Sequence, residues 1–496
     1  MTPGAGHEHH LEQRRGQTRG PRNAIRLIIA TFVTGAAVLG VTVIPDQVAG
    51  ASSDVVLNCN NSGSGSLPAV VAGAAPGDTI IFSVPSSCTI ITLTSTIDIT
   101  TSVTIDGPGA GTLAVSGNNA SAVFQVDGGV SATIAGITVE DGSAGANDGG
   151  GIVNEGTLRL VDSTVSNNSA SGTEGGGILN EGSTSVVDST VSNNSAASGA
   201  GIENLSGSVL VDASTLSGNN ATMYGGGINS DASLSIINST LSNNSANDGG
   251  AIENGGSLSL TASTVSGNAA VVGGALNNDG AVDDGVASTT IAGTILANSS
   301  SGGNCQSFKG TITDGGYNLD DHGSCGFSSV NHSLIGVKPQ LGTLQNNGGP
   351  TETQAPALGS PELDQIPRGT TGNGVELCPG TDQRGLARPQ GTECDIGAVE
   401  LVVGPYAITS QDGDTAQMGV FFSFTVTTIG SPTPTIKKKG KFPRNVTLED
   451  ISGGSAVISG TPNASGSYPV TITATFGKGK AKEVVSQTFI LTVVPS

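Results

Sequence analysis

The chain has 496 residues, among them 76 glycines and no tryptophan, and carries a formal net charge of −21. The charge is uneven: residues 1–51 hold +2 and residues 404–496 hold +3, which leaves −26 for residues 52–403. Between Ser52 and Phe308 the only cationic side chain is Arg159 and there is no histidine, so this region repels polyanions and nucleic acid is excluded as its partner.

At the N-terminus, Arg14, Arg15, Arg19, Arg22 and Arg26 precede an apolar run over 27–44 and the tripeptide AGA at 49–51. This pattern predicts a secretory signal peptide, or an uncleaved N-terminal anchor, over 1–51. Both place the remainder outside the cytoplasmic membrane, and membrane contact is confined to residues 27–44 if they are retained. From 54 to 126 come strand-like runs such as TIIF, TIITL and SVTIDGPG. The stretch 65–82 predicts a short helix or turn ahead of the first strand, covering the open end of whatever follows.

From 149 to 278 one phrase recurs six times with a period of about 25 residues: GGGI, GGGI, GAGI, GGGI, GGAI and GGAL. Between copies stands a second phrase: STVSNNS, STVSNNS, STLSGNN, STLSNNS and STVSGNA. Aligned on the Ser-Thr pair, Leu160, Val186, Val211, Ile236 and Leu260 fall in one column and Val165, Val191, Leu216, Leu241 and Val265 in another. Two further columns hold asparagine: Asn168, Asn194, Asn219, Asn244 and Asn268, and Asn154, Asn180, Asn204, Asn254 and Asn278, the second broken by Ser230. Short alternating runs rich in β-branched residues predict strands, and a repeat of this length predicts a solenoid. One turn of a parallel β-helix fits. Rungs then stack about 4.8 Å apart, aliphatic columns fill the interior, and asparagine columns hydrogen-bond where each rung turns a corner. Roughly ten rungs give a rod on the order of 50 Å long. The glycines supply positive φ at one turn. Asn-x-Ser/Thr triplets such as those at Asn167 and Asn243 are expected to coincide with the ladder columns and read as structure before glycosylation.

The expected domains are a β-helix with its N-terminal cap over 52–336, a Pro/Gly-rich segment of the same region over 337–403, and a small antiparallel Ig-like β-sandwich over 404–496. Six cysteines form sequence-local pairs: Cys59 with Cys88, Cys305 with Cys325, Cys378 with Cys394. Disulfides are favoured over zinc because no pair has Cys-x-x-Cys spacing, and the local pairing is the simplest of the connectivities open to six cysteines.

The glycine phrase with its neighbouring asparagine phrase resembles the polymorphic outer membrane protein repeat, with Val165, Val191, Leu216 or Leu241 where that repeat carries Phe. The stretch 65–400 resembles the choice-of-anchor Q group of exported β-helix proteins, through SVTIDGPG at 102–109, NNGGPTETQAP from Asn346, DQRG from Asp382 and CDIGAVE from Cys394. That resemblance implies an all-β chain with a right-handed parallel β-helix of pectin-lyase type. Residues 406–496, with FSFTVTTIGSPTPT and ISGTPNASGSYPVTITATF, resemble an Ig-like, cadherin-related module of bacterial surface proteins. None of the three implies a catalytic constellation.

The pectin-lyase fold also hosts polysaccharide lyases and hydrolases, so site chemistry has to decide. A lyase needs cations to neutralise a uronate and a base to remove its proton, and one arginine does not supply both. A hydrolase needs paired carboxylates. Asp148, Glu174 and Asp248 share one column and Glu203 and Glu253 another, but they recur with the rung and so read as solvated surface. A weak Ca²⁺ or sugar site is the second reading for them. No cofactor is required. Asp412 and Asp414 are the remaining candidate Ca²⁺ ligands, since neither the GGxGxDx nor the EF-hand pattern occurs. The expected function is that of an exported, non-catalytic β-helix protein, secreted or at the cell surface, that adheres to a glycan, matrix or surface protein. A polysaccharide-active hydrolase or lyase and a passive envelope stalk are the alternatives.

Overall fold

The computed structural model describes residues 53–145, 148–280, 286–372, 374–402, 406–430, 433–451, 454–476 and 483–495. The leader expected at 1–51 lies outside them, and no helix among the described residues is long and apolar enough to cross a membrane. The repeat region winds into a parallel β-solenoid of about ten turns. Three parallel sheets of eleven, nine and eleven strands form its walls. In one turn, Ile152–Asn154 lies on the second (nine-stranded) sheet, Thr157–Val161 on the first and Thr164–Ser166 on the third.

The aliphatic columns are interior. Val165, Val191, Leu216, Leu241 and Val265 are each 0 % exposed, as are Leu160, Val186, Val211, Ile236 and Leu260. They stack in register, Val165 over Val191 and Val191 over Leu216, so one continuous apolar core runs down the rod.

Polar side chains close the corners. In the first asparagine column each Nδ2 donates to the Oδ1 of the next rung at 2.9–3.1 Å, from Asn168 to Asn268. The same Oδ1 accepts the preceding rung's asparagine backbone N–H. The second column runs Asn154 to Asn180 to Asn204 at 2.8 Å, passes to Ser230 Oγ at 2.9 Å, and resumes with Asn254 donating to Asn278 Oδ1 at 2.9 Å. A third ladder, of hydroxyls, was not anticipated. Backbone N–H groups of Ser163, Ser189, Ser214 and Ser239 donate to the Oγ of Ser189, Ser214, Ser239 and Ser263. Each Oγ in turn donates at 2.7 Å to the carbonyl two residues before it. Asn167 and Asn243, the acceptor residues of the glycosylation-like triplets, stand one residue ahead of the ladder rather than in it. They are exposed and left-handed, at φ +57°, a conformation asparagine tolerates.

The residue before each ladder serine is also left-handed: Asp162, Asp188, Ala213, Asn238 and Ala262 lie at φ +46° to +49°. Alanine has no side-chain hydrogen bond to offset that cost. Ala213→Gly is expected to raise stability by about 0.5–1 kcal/mol, read as a higher urea midpoint with an unchanged m-value. A lower midpoint would contradict the strain.

At the N-terminal end a strand, Ser53–Val56, precedes the helix and pairs with Thr79–Phe82, so the helix follows the first strand instead of leading it. The helix, Leu67–Gly73, is capped by Ser66 and buries Leu67 and Val71 against the solenoid core. Disulfides join Cys59–Cys88, Cys305–Cys325 and Cys378–Cys394, with Cα atoms 5.7, 4.8 and 5.8 Å apart. Three disulfides fit an oxidising, extracytoplasmic environment. The last recognisable repeat, near Thr294, is followed by a further turn through Cys305–Phe308, Gly310–Asp314 and Leu319–Asp320.

The C-terminal residues form two four-stranded sheets around a shared core of Phe422, Val426, Ile458, Ile472, Phe476 and Phe489, consistent with an Ig-like sandwich. One pair departs from the antiparallel expectation, since Gly413–Gln417 runs parallel to Glu483–Val494.

Candidate functional site

The two acidic columns exist as read, but Asp248, Glu203 and Glu253 in them are not solvated. Glu174 pairs with Ser198, Ser198 with Tyr224, and Tyr224 bridges to Asp248. Asp148 Oδ1 accepts the Glu174 backbone N–H at 3.4 Å. Glu203 and Glu253 alternate with Asn229 and Asn277 along the second sheet. Asp148 and Glu174 are half-buried, whereas Asp248, Glu203 and Glu253 are 4, 0 and 4 % exposed. A short fourth sheet, Ser169–Glu174, Ser195–Ser198 and Asn220–Tyr224, adds a layer whose Ala170, Ala196 and Ala221 form a small apolar cluster, and the glycine turns that follow lie against Glu203, Asn229, Glu253 and Asn277. These turns close tightly. A β-carbon at Gly199 would stand 2.5 Å from Glu203 Oε2, so only glycine lets the turn lie against that carboxylate.

Glu203 and Glu253 are two rungs apart, about 9.6 Å along the rod, at the outer limit for an inverting pair of glycosidase carboxylates. Their burial removes them from any sugar lying on the surface. No group of three or more Asp, Glu, His or Cys side chains stands in a metal-ligating array among the described residues. Asp412 and Asp414 are exposed, and Asp414 Oδ1 accepts the adjacent Thr415 N–H.

The densest polar constellation lies in the Pro/Gly-rich segment, where the sequence showed motifs without roles. Residues 337–402 fold back along the third sheet as a clasp. Gln383 is its centre: Nε2 donates to Ser214 O, Thr215 Oγ1 and Thr351 Oγ1, and Oε1 accepts from Thr240 Oγ1 at 2.6 Å. Thr215 Oγ1 donates to Glu352 O, and Thr264 Oγ1 accepts the Ala398 N–H. Hence Thr215, Thr240 and Thr264 are buried, while Thr138, Thr164 and Thr190 in the same column remain half-exposed. The clasp is held by two buried ion pairs, Arg384–Asp382 at 2.7 Å and Arg388–Glu400 at 2.8 Å. Arg388 also donates to Asp395 O and Gly397 O. Asp395 is the third acid against two arginines, and burial first, Glu400 beside it second, push its carboxyl up to about 7. Everything in this cluster points inward, so DQRG and CDIGAVE secure the clasp and present no chemistry to solvent.

One polar face does reach solvent. On the first sheet Ser131, Thr157, Ser183, Ser208, Ser233, Ser257, Ser288 and Thr311 lie in register over eight rungs, exposed except for half-buried Ser208. Neighbouring Ser183 and Ser208 hydroxyls hydrogen-bond at 2.8 Å. No protein-family model matches the chain, and no curated protein is significantly similar to it.

Proposed function

We propose that the protein is an exported, non-catalytic β-helix rod, secreted or at the cell surface, whose first sheet contacts a glycan or a glycan-bearing matrix. The observation that carries the reading is the eight-rung hydroxyl column. Its donors and acceptors repeat about every 4.8 Å on a stiff wall, an arrangement suited to the hydroxyl edges of an extended polysaccharide. The buried acids and the inward-facing clasp support a binding role over hydrolysis, and the disulfides support an exported setting. The resemblance to choice-of-anchor Q and polymorphic outer membrane protein chains, with a cadherin-related module, agrees with a surface location.

The test is retention of the full mature chain on a polysaccharide panel and a glycan array, with reducing ends and unsaturated products measured in parallel. Binding without product is expected, and replacing Ser183, Ser208 and Ser233 together by Lys should weaken it at least tenfold. Product formation would establish the hydrolase or lyase alternative. No retention on any surface would leave a passive stalk.

A further inference from the structure

Independently of that reading, one end of the Ig-like sandwich presents a surface that its own core does not account for. Register defines that end. Phe422 and Val446 pair with Gly460 from opposite sides, and in the other sheet Gln417 pairs with Val494 and Gly466 with Val493. The loops 418–421, 440–445 and 461–465 therefore emerge together. Two backbone hydrogen bonds tie them: Gly419 N–H donates to Pro462 O at 2.9 Å and Thr461 N–H to Asn445 O at 3.1 Å. Buried residues fix what two of these loops show. Phe422 is 8 % exposed, whereas Val420 and Phe421 just before it are 50 and 69 % exposed, which makes Phe421 the most exposed phenylalanine among the described residues. Phe442 packs edge-on to Phe489, Pro443 beside it is buried, and Lys441 and Arg444 on either side are exposed.

A lone exposed apolar side chain needs no explanation. Here two are adjacent on a turn closed by the Val420 N–H donating to Gln417 O, so their exposure is built into the turn. The charge is equally one-sided. The three loops hold Lys441 and Arg444 and no acidic residue, and among the described residues neither cation forms an ion pair. An apolar tip flanked by cations is complementary to a layer of negative charge lying over hydrocarbon. A soluble polyanion would engage the cations and leave the Phe421 ring in water; a neutral bilayer would take the ring and leave the cations unmatched. Residues 52–403, at −26, are repelled by an anionic surface, while residues 404–496 carry +3, so the contact is confined to the module.

We propose that this end of the Ig-like module docks on an anionic lipid bilayer, with Val420 and the Phe421 ring entering the boundary between headgroups and acyl chains and Lys441 and Arg444 on the lipid phosphates. The contact is separate from the one expected at 27–44. It is also reversible, because two apolar side chains and two cations hold far less strongly than a spanning helix.

The chain has no tryptophan, so Phe421→Trp introduces a single emission probe at the tip. The full mature chain, starting at Ser52 so that the leader cannot contribute, is mixed at low salt with vesicles of phosphatidylglycerol and phosphatidylcholine in equal parts, and with vesicles of phosphatidylcholine alone. Emission of the Phe421→Trp chain is expected to shift to the blue on the anionic vesicles and to stay in place on the neutral ones. In co-sedimentation, Phe421→Ser should weaken binding to the anionic vesicles about tenfold. Lys441→Gln with Arg444→Gln should weaken it roughly tenfold and reduce its salt dependence. All three side chains are exposed, so Tm should not change in either variant. Lys478→Gln, Lys480→Gln and Lys482→Gln together, which alter cations of the same module outside those loops, should cost less than the Lys441 and Arg444 pair. Emission indifferent to anionic vesicles would overturn the proposal. Binding kept in the Lys441 and Arg444 variant but lost with the other three lysines would overturn it by placing the contact elsewhere. Retention on heparin that Phe421→Ser leaves intact, without vesicle binding, would overturn it in favour of an acidic polysaccharide.

Discussion

Replacing Asn219 by Ala is expected to lower stability by about 3–5 kcal/mol, a large loss for a polar side chain. Asn219 is 0 % exposed and sits mid-ladder. Its Oδ1 accepts from both the backbone N–H and the Nδ2 of Asn194 at 3.0 Å, and its Nδ2 donates to Val191 O at 3.0 Å and Asn244 Oδ1 at 2.9 Å. Alanine removes four bonds and leaves a cavity where water has no entry. Because each rung touches only its neighbours, stability is close to a sum of rung and interface contributions, and a broken ladder at this rung uncouples the two ends. Urea unfolding should therefore show a lower midpoint and a broader or two-step transition. Asn220, the next residue, is exposed and accepts only from Ser245 Oγ, so Asn220→Ala should cost less than about 1 kcal/mol. A loss of that same small size at Asn219 would mean the ladder is a consequence of stacking and not a cause of it.

The contrast between those two neighbours shows what the sequence could and could not convey. Asn219 and Asn220 look alike in STLSGNN, and only the period of about 25 residues separates them, by placing the first in a column with Asn194 and Asn244. Periodicity thus exposed the interior, the asparagine ladders and the acid columns, because each is a property of stacking. It could not expose what depends on a second layer. Glu203 and Glu253 read as wet because the wall they face away from was legible, whereas the way Gly199 and Gly249 fold the turn back against them was not. The hydroxyl ladder was visible as an unbroken serine column at 163, 189, 214, 239 and 263. Its signal was the unbroken run of serine over five rungs, which Thr294 continues by accepting the Ser263 N–H on its Oγ1. The clasp lies beyond the repeat, so nothing periodic marked Gln383 as the partner of Thr215 and Thr240. The available clue was compositional: Asp382, Arg384, Arg388, Asp395 and Glu400 put paired charges within a short stretch of a chain otherwise poor in arginine.

Opening that clasp should take a single substitution. Arg388 is fully buried, and its guanidinium spans Glu400 Oε1, Asp395 O and Gly397 O. Arg388→Met preserves bulk but leaves the Glu400 carboxylate buried without its cation, which costs about 3–5 kcal/mol. Arg388→Lys keeps the charge but cannot reach three acceptors from one plane, and should recover only part of the loss. The expected result is faster proteolytic nicking and amide exchange within 337–402, with the rungs from 157 to 261 still protected, because their amides bond between neighbouring strands. Collapse of the whole solenoid would show instead that the rungs need the clasp to fold. The same cluster sets a pH dependence. Asp395 has its folded value raised from the ordinary 3.8 to about 7, by burial and then by Glu400. Its contribution is fully present below about pH 4 and is lost as pH rises through 7, because the unfolded carboxyl ionises first while the folded one still holds its proton. Nicking of the clasp should accordingly be slower at pH 5 than at pH 8. Asp395→Asn, neutral at every pH, should flatten that difference mainly by slowing the reaction at pH 8, where the native side chain would otherwise add a third negative charge to two arginines and two carboxylates already in balance.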